Sequence, residues 1–358
     1  MATTLPDIHP DIIRQHLLSK LDGRSLSSAA TASSDLHALC SDNTLWADIS
    51  KSTWPSITHP RVNRLISTFP ARHRSFFQDS FPDLFTDVTR HRSYSSTSKQ
   101  PVGATSCHHL ANSPHLTSSD PFISAVDIRY QNEIVFSKVL FTDVTIDFLS
   151  SALRVEVNDD PTRNQSGSEQ SPGISRPIDL KVDELAGPDE PTLSHLRESV
   201  TLSWILIDPT RKRACNLSSV KSVGVRQDWM SNETVLRYVT VLPGVDPNEM
   251  VECKIEVVLG VSSAGLHVKH VVLKLMNLNR TCLNGREFLV VIKGAVLEEN
   301  NVRRKVMDDE KRWRGYMELK ELKREKKERE RMEEEKRELA LKMNYIIILC
   351  CFAVGFFF

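Results

Sequence analysis

The chain has 358 residues, 40% of them hydrophobic, and its 46 Lys and Arg are matched by 46 Asp and Glu. This allows one to three domains with folded cores, and zero net charge excludes a globally basic protein that coats nucleic acid. Seven cysteines without regular spacing exclude a disulfide framework and point to a reducing compartment, and residues 1–20 lack the apolar stretch of a secretory signal.

The first element is "HPDIIRQHLLSKLDG", residues 9–23. Pro10 has the φ of a first helical turn, Asp11 puts a negative charge at the positive end of the helix dipole, and Gly23 is placed to end the helix. Ile12, Ile13, Leu17, Leu18 and Leu21 spread over a face wider than one buried stripe needs. Further apolar segments follow: Leu26, Ala29 and Ala30 behind the cap candidate Ser25, then Leu36 and Leu39, then Leu45, Trp46 and Ile49 behind the cap candidates Asp42 and Asn43. Some 45 residues of short helices cannot bury that surface alone, so either a partner protein or the rest of the chain covers it.

From Pro10 to Trp46 this segment resembles an F-box, without a gap. Pro10, Leu17, Leu18, Ser19, Leu21, Ser25, Leu26, Leu39, Asp42, Leu45 and Trp46 fall where that motif expects them, whereas His9, Ser33 and Leu36 depart from it. The continuation "SKSTWPSITHPRVNRLISTFPARHRSFFQDSFPDLF", and later "LSWILIDPTRKRACNLSS", are similar to a group of plant F-box proteins. The resemblance implies a non-catalytic subunit without cofactor, which tethers a substrate-recognition domain to a Skp1-type adaptor and through it to a cullin ubiquitin ligase. On this reading Pro10, Ile12, Ile13, Leu17, Leu18, Leu21, Leu26, Leu45 and Trp46 form the adaptor-binding surface and its support.

Residues 53–121 read as a packed connector followed by a flexible linker. The connector mixes Pro55, Pro60, Pro70 and Pro82 with Arg61, Arg64, Arg72, Arg74, Arg90 and Arg92, but Asp79, Asp83 and Asp87 dilute the positive charge. The prolines interrupt any continuous basic helix, so nucleic acid is not expected as a partner. Residues 93–120 are rich in Ser, Thr, His and Pro and poor in large apolar groups.

From 122 to 297 the period changes to two. Val126, Ile128 and Tyr130, then Leu153, Val155 and Val157, then Val251, Cys253, Ile255 and Val257 alternate with polar residues. "EIVFSKVLF", "VTLSWILID", "TVLRYVTVL", "LHVKHVVLKL" and "REFLVVIKGAVL" are further strand candidates, separated by turn signals at Asp208-Pro209, Pro243-Gly244 and Asn284-Gly285. Strands without crossover helices predict an antiparallel, sandwich-like domain; the F-box resemblance implies that this domain binds the client. Residues 158–194, dense in Pro, Gly, Ser and Asp, read as a long disordered surface loop.

Residues 298–342 turn sharply to charge, with pairs such as Glu325 and Arg329 four apart, as on a solvated helix. Leu319, Leu322, Met332 and Leu339 do not hold a heptad. The tail "MNYIIILCCFAVGFFF", residues 343–358, reads as a transmembrane tail anchor: 16 residues span about 24 Å, and about 30 Å when extended back to Leu339 with Lys342 snorkelling. Basic residues on its N-terminal side would leave the protein facing the cytosol from an internal membrane. Without insertion the chain would be soluble in cytosol or nucleus.

Catalytic motifs are lacking: the sequence has no Gly-rich phosphate loop, no G-x-S-x-G elbow and no H-E-x-x-H helix. Cys107, His108, His109 and His115 lack the paired spacing of a zinc site, so no metal is expected. His267 and His270 should face opposite sides of a strand, one buried and one exposed. The fold class is therefore α+β and multidomain: a helical F-box (1–52), connector and linker, a β-rich substrate domain (122–297), a charged helix and a hydrophobic segment. The alternative is a membrane-tethered binding module with a lectin-like β domain, whose F-box-like helices are structural and carry no ligase role.

Overall fold

The computed structural model describes residues 9–81, 83–85, 121–142, 153–157, 168–170, 173–180, 188–228, 230–246, 249–262, 265–297, 303–305 and 309–355. The N-terminal region is helical: α1 (Pro10–Ile12) runs on through a π-helical stretch (Ile13–Leu17) and a 3-10 turn (Leu18–Lys20). Then come α2 (Gly23–Ala29), α3 (Ser34–Cys40), α4 (Asn43–Thr53), a 3-10 turn (Pro55–Thr58), α5 (Pro60–Ile66) and α6 (Arg72–Ser80).

The β-rich region begins with β1 (Asp83–Phe85), β2 (Phe122–Tyr130), β3 (Glu133–Thr142), β4 (Leu153–Glu156), β5 (Ser168–Gln170) and β6 (Ile174–Ser175). After α7 (Glu190–Ser199) come β7 (Val200–Asp208), β8 (Arg213–Asn216), β9 (Val220–Lys221), β10 (Gly224–Asp228), β11 (Glu233–Pro243), β12 (Met250–Ser262) and β13 (Gly265–Met276). Helix α8 (Gly285–Leu297), strand β14 (Arg303–Lys305) and the long helix α9 (Asp309–Gly355) follow.

All the strand pairings are antiparallel. Among the described residues β1 and β14 form a two-stranded sheet, a first larger sheet has the order β10-β11-β12-β13-β4, and the second has β5-β3-β2-β7-β8, with β6 beside β3 and β9 beside β7. The facing sides of the two larger sheets share one core: Val126, Ile128, Phe136, Leu202 and Trp204 from the second sheet meet Leu236, Tyr238, Ile255, Val257 and Leu273 from the first. That is the expected sandwich. Residues one position along each strand of the second sheet point the other way. Ile123, Ala125, Val139, Phe141, Ile205, Ile207 and Ala214 join a second core, together with Leu18, Leu26, Trp46, Trp54, Ile57 and Phe76 of the helices. The near-continuous apolar run of β7 is thereby explained, since both faces of its sheet are covered.

Two expectations change. "REFLVVIKGAVL" is not a strand but helix α8, buried from Phe288 through Val296. An element covered on every side carries no polar face, so periodicity alone cannot tell helix from strand. Residues 158–194 are not one structureless loop, because β5, β6 and the first turns of α7 lie within them. Asp189 caps α7, accepting the Thr192 N–H at 3.0 Å. The linker at 93–120, with the Cys107 and His108 cluster, lies outside the described residues.

The transmembrane expectation is not supported. Among the described residues no helix is long and apolar enough to cross a membrane. Helix α9 continues through Gly355, but its charged surface reaches Lys342, and the side chains beyond Ile348 lie outside the described residues. Near its start, α9 instead lies on the sandwich, where Leu319, with Tyr316 and Leu322, packs on Val239 and Met250.

Candidate adaptor-binding surface

The helical region is built from short, individually capped pieces. Asp22 caps α2 by accepting the Ser25 N–H at 2.7 Å, Ser33 caps α3 from Leu36 N–H at 3.1 Å, and Asp42 caps α4 from Thr44 N–H at 2.9 Å. The same backbone donors hold the carboxyls of Asp22 and Asp42 below their ordinary range. Ser25, read from sequence as a cap, is thus the residue whose N–H is capped. Gly23 does not end the preceding helix; it is the first residue of α2. A Cβ on it would lie 2.1 Å from Cζ of Phe77, so the aromatic ring occupies the space that any other side chain needs.

Burial divides the nine predicted positions into three exposed, one half-buried and five buried. Pro10, Ile12 and Leu17 are exposed, Ile12 at 51% and Leu17 at 49%, and Leu21 is half-buried. Ile13, Leu18, Leu26, Leu45 and Trp46 are buried in the second core. The change from α to π to 3-10 winding sets which residues turn inward, a feature that simple helical periodicity missed. Arg14 Nε lies 3.3 Å from Asp42 and ties this segment to the start of α4. Trp46 Nε1 donates to the Cys40 carbonyl at 2.7 Å, fixing α4 against the end of α3.

Below this face an aromatic stack leads to the sheet. The Trp46 and Phe77 rings are 5.3 Å apart, Trp54 meets Phe76 edge-on at 5.7 Å, and Phe77 stacks on Phe81 at 5.0 Å. Three polar joints then bind helices to strands. Ser56 donates its N–H at 3.0 Å and its hydroxyl to the buried carboxylate of Asp127 on β2. Arg129 donates to the carbonyls of Ser52 and Thr53 at the end of α4. Arg213 on β8 pairs with Asp79 on α6 at 2.8 Å, and Ala214 N–H donates to the same carboxylate. These joints were invisible in the sequence, where Asp127 and Asp79 are single acids among many.

Other sequence candidates resolve as structure. Asp208 accepts the N–H groups of Thr210 and Arg211 and pairs with the Arg211 guanidinium, so the turn signalled by Asp208-Pro209 is held from within. His267 and His270 are both half-buried instead of one in and one out, because β12 and β13 shift register between Val258 and Leu259 and this bulge resets the alternation. Burial lowers the pKa of both. Among the described residues no group of His, Cys, Asp or Glu could hold a metal.

The chain is similar to three Arabidopsis thaliana proteins. It is 34% identical to F-box protein At2g27310 over 345 residues, 91% of this chain and 89% of that protein. It is 34% identical to the probable F-box protein At2g36090, over 89% of this chain and 85% of that one, and to F-box protein At3g44326, over 71% and 61%. No family model matches, and no solved structure does. Identity of this level over most of both chains, together with the helical motif and its exposed face, places the chain in a family: it belongs to the plant F-box proteins.

Proposed function

We propose that this protein is the substrate-recognition subunit of an SCF-type (Skp1–cullin–F-box) E3 ubiquitin ligase, recruiting clients for ubiquitination without catalysing a step itself. Membership of the F-box proteins supports the general role. The observation that carries the reading is the exposure of Ile12 and Leu17, apolar side chains left open beside Pro10 while their neighbours Ile13 and Leu18 are buried. Neighbouring apolar groups of this kind are the anchor type that a partner's pocket covers. The buried members of the motif act as support, holding the docking face against the sheet. The sandwich is the part available to a client, and a stiff link between docking face and client would raise the effective concentration of the client at the transferring enzyme.

The test is co-expression of the full chain with a plant Skp1-type adaptor, followed by size-exclusion chromatography. A stable complex is expected, and Ile12→Asp with Leu17→Asp should abolish it. Failure of the folded wild-type chain to associate would overturn the reading.

A further inference from the structure

A second feature lies away from the docking face, where α9 crosses the outer side of the five-stranded sheet. A cavity of about 300 Å³ there is lined by five cationic side chains, Arg237, Lys254, Arg280, Lys320 and Lys323, against one carboxylate, Glu252. They come from four places in the chain: β11, β12, the turn after β13, and α9.

The existing pairs do not neutralise the cavity. Lys323 pairs with Glu252, which is only 8% exposed, and Lys254 pairs with Glu256 at 2.6 Å. Arg237, Arg280 and Lys320 have no carboxylate within salt-bridge distance among the described residues. Arg237 Nε is buried with no hydrogen-bond acceptor there. Arg280 has φ +63, a left-handed conformation that suits glycine or asparagine better. It is held there by a turn in which Arg280 N–H donates to the Asn277 carbonyl at 3.1 Å and Thr281 N–H to the Asn277 side chain at 3.0 Å. Mutual repulsion of like charges, an unused buried donor and a strained arginine at one spot all raise the free energy of the empty cavity. An anion would lower all but the last of these terms, and backbone strain of this kind clusters at ligand sites.

We infer that this cavity binds a small, multiply phosphorylated anion, held between the sheet and α9. The cations surround one compact volume from several sides instead of following a line, which suits a compact polyanion better than an extended acidic peptide. Arginine forks and lysine points of charge are the usual phosphate-binding set. Once bound, the anion would bridge Lys320 and Lys323 on the helix to Arg237 and Lys254 on the strands, and so fasten α9 to the sandwich. The inference does not depend on the ligase reading.

The experiment uses the full chain, with inorganic tripolyphosphate as the probe. Calorimetric titration should give saturable binding, and tripolyphosphate should raise Tm above the value in sodium chloride of equal ionic strength. Arg280→Gln with Lys320→Gln, both exposed, should weaken binding by about tenfold or more, without lowering Tm in the absence of the anion. Should that pair fail to fold, Lys320→Gln alone serves, with a smaller but measurable loss expected. Vesicles of phosphatidylcholine, with and without a phosphatidylinositol bisphosphate, separate the sources: vesicle binding lost in the same variants assigns a lipid headgroup, and tripolyphosphate binding without it assigns a free anion. No stabilisation beyond the chloride control, unchanged affinity in the variants, or equal competition by a polyglutamate peptide would overturn the proposal.

Discussion

Ser56 gives both of its hydrogen-bond donors to Asp127, 71 residues further along the chain, and Ser137 Oγ adds a third at 2.7 Å. This buried group is the polar centre of the contact between helices and sheet. Burial pushes the Asp127 carboxyl up to about 6 from an ordinary value of 3.8, although the serine donors pull the other way.

The folded chain therefore keeps a proton that the unfolded chain releases between about pH 4 and pH 6. The stability due to this proton is fully present below about pH 4 and is lost as pH rises through 6. Asp127→Asn retains an acceptor for Ser56 N–H and has nothing to titrate. Its Tm should fall less than that of the wild type between pH 4 and 7, the difference in slope corresponding to on the order of 3 kcal/mol. Parallel curves would show that Asp127 is ionised in the folded chain throughout this range.

Leu17 and Leu18 are adjacent but should respond oppositely to charge. Leu18 is 3% exposed and Leu17 is 49% exposed. Leu18→Asp buries an unpaired carboxylate and should destabilise the chain by about 3 kcal/mol or more. Leu17→Asp should leave the urea midpoint within experimental error and still lose the adaptor in a pull-down. Loss of stability in both variants would place Leu17 in the core.

Gly23→Ala tests how tightly α2 meets the aromatic stack. The new methyl group overlaps the Phe77 ring, and overpacking of this kind costs about 1–3 kcal/mol. A smaller side chain in Phe77→Leu should recover part of that loss in the double variant. Additive losses in the two would mean that the two residues are not in contact.

Leu319 is 1% exposed and is the main apolar pin between α9 and the sheet. Leu319→Asp should release the helix locally while the sandwich stays folded. Limited trypsin digestion should then cut at Lys320, Lys323 and Arg324 roughly tenfold faster, with near-ultraviolet circular dichroism preserved. An unchanged cleavage rate would show that polar contacts alone hold α9.

Much of the architecture was legible from period and punctuation. Strands β2, β3, β4, β7, β11, β12 and β13 were marked by alternating or long apolar runs, and the F-box motif by the leucine and tryptophan spacing between Pro10 and Trp46. What failed was whatever depends on surroundings. Helix α8 has only Lys293 among the apolar residues from Phe288 to Val296 because it is enclosed, and enclosure removes the very pattern that identifies a helix. Gly23 looks like a helix end until Phe77, 54 positions later, is seen to fill the space beside it. The positions proposed for docking were named from the motif, but the split between exposed Ile12 and Leu17 and buried Ile13 and Leu18 depends on a change of helical winding that no residue preference announces.

The seven-stranded sheet has one face against its sister sheet and the other against the helices. Neither half can lose its structure while the other keeps a covered surface, so the two should melt in one cooperative transition. A copy whose sandwich is miscopied, truncated or heat-damaged would then present no intact helical face. On the proposed adaptor-binding role, defective copies would be barred from the adaptor pool by their own folding, and assembly of the complex would be a proofreading step that no separate inspector has to perform.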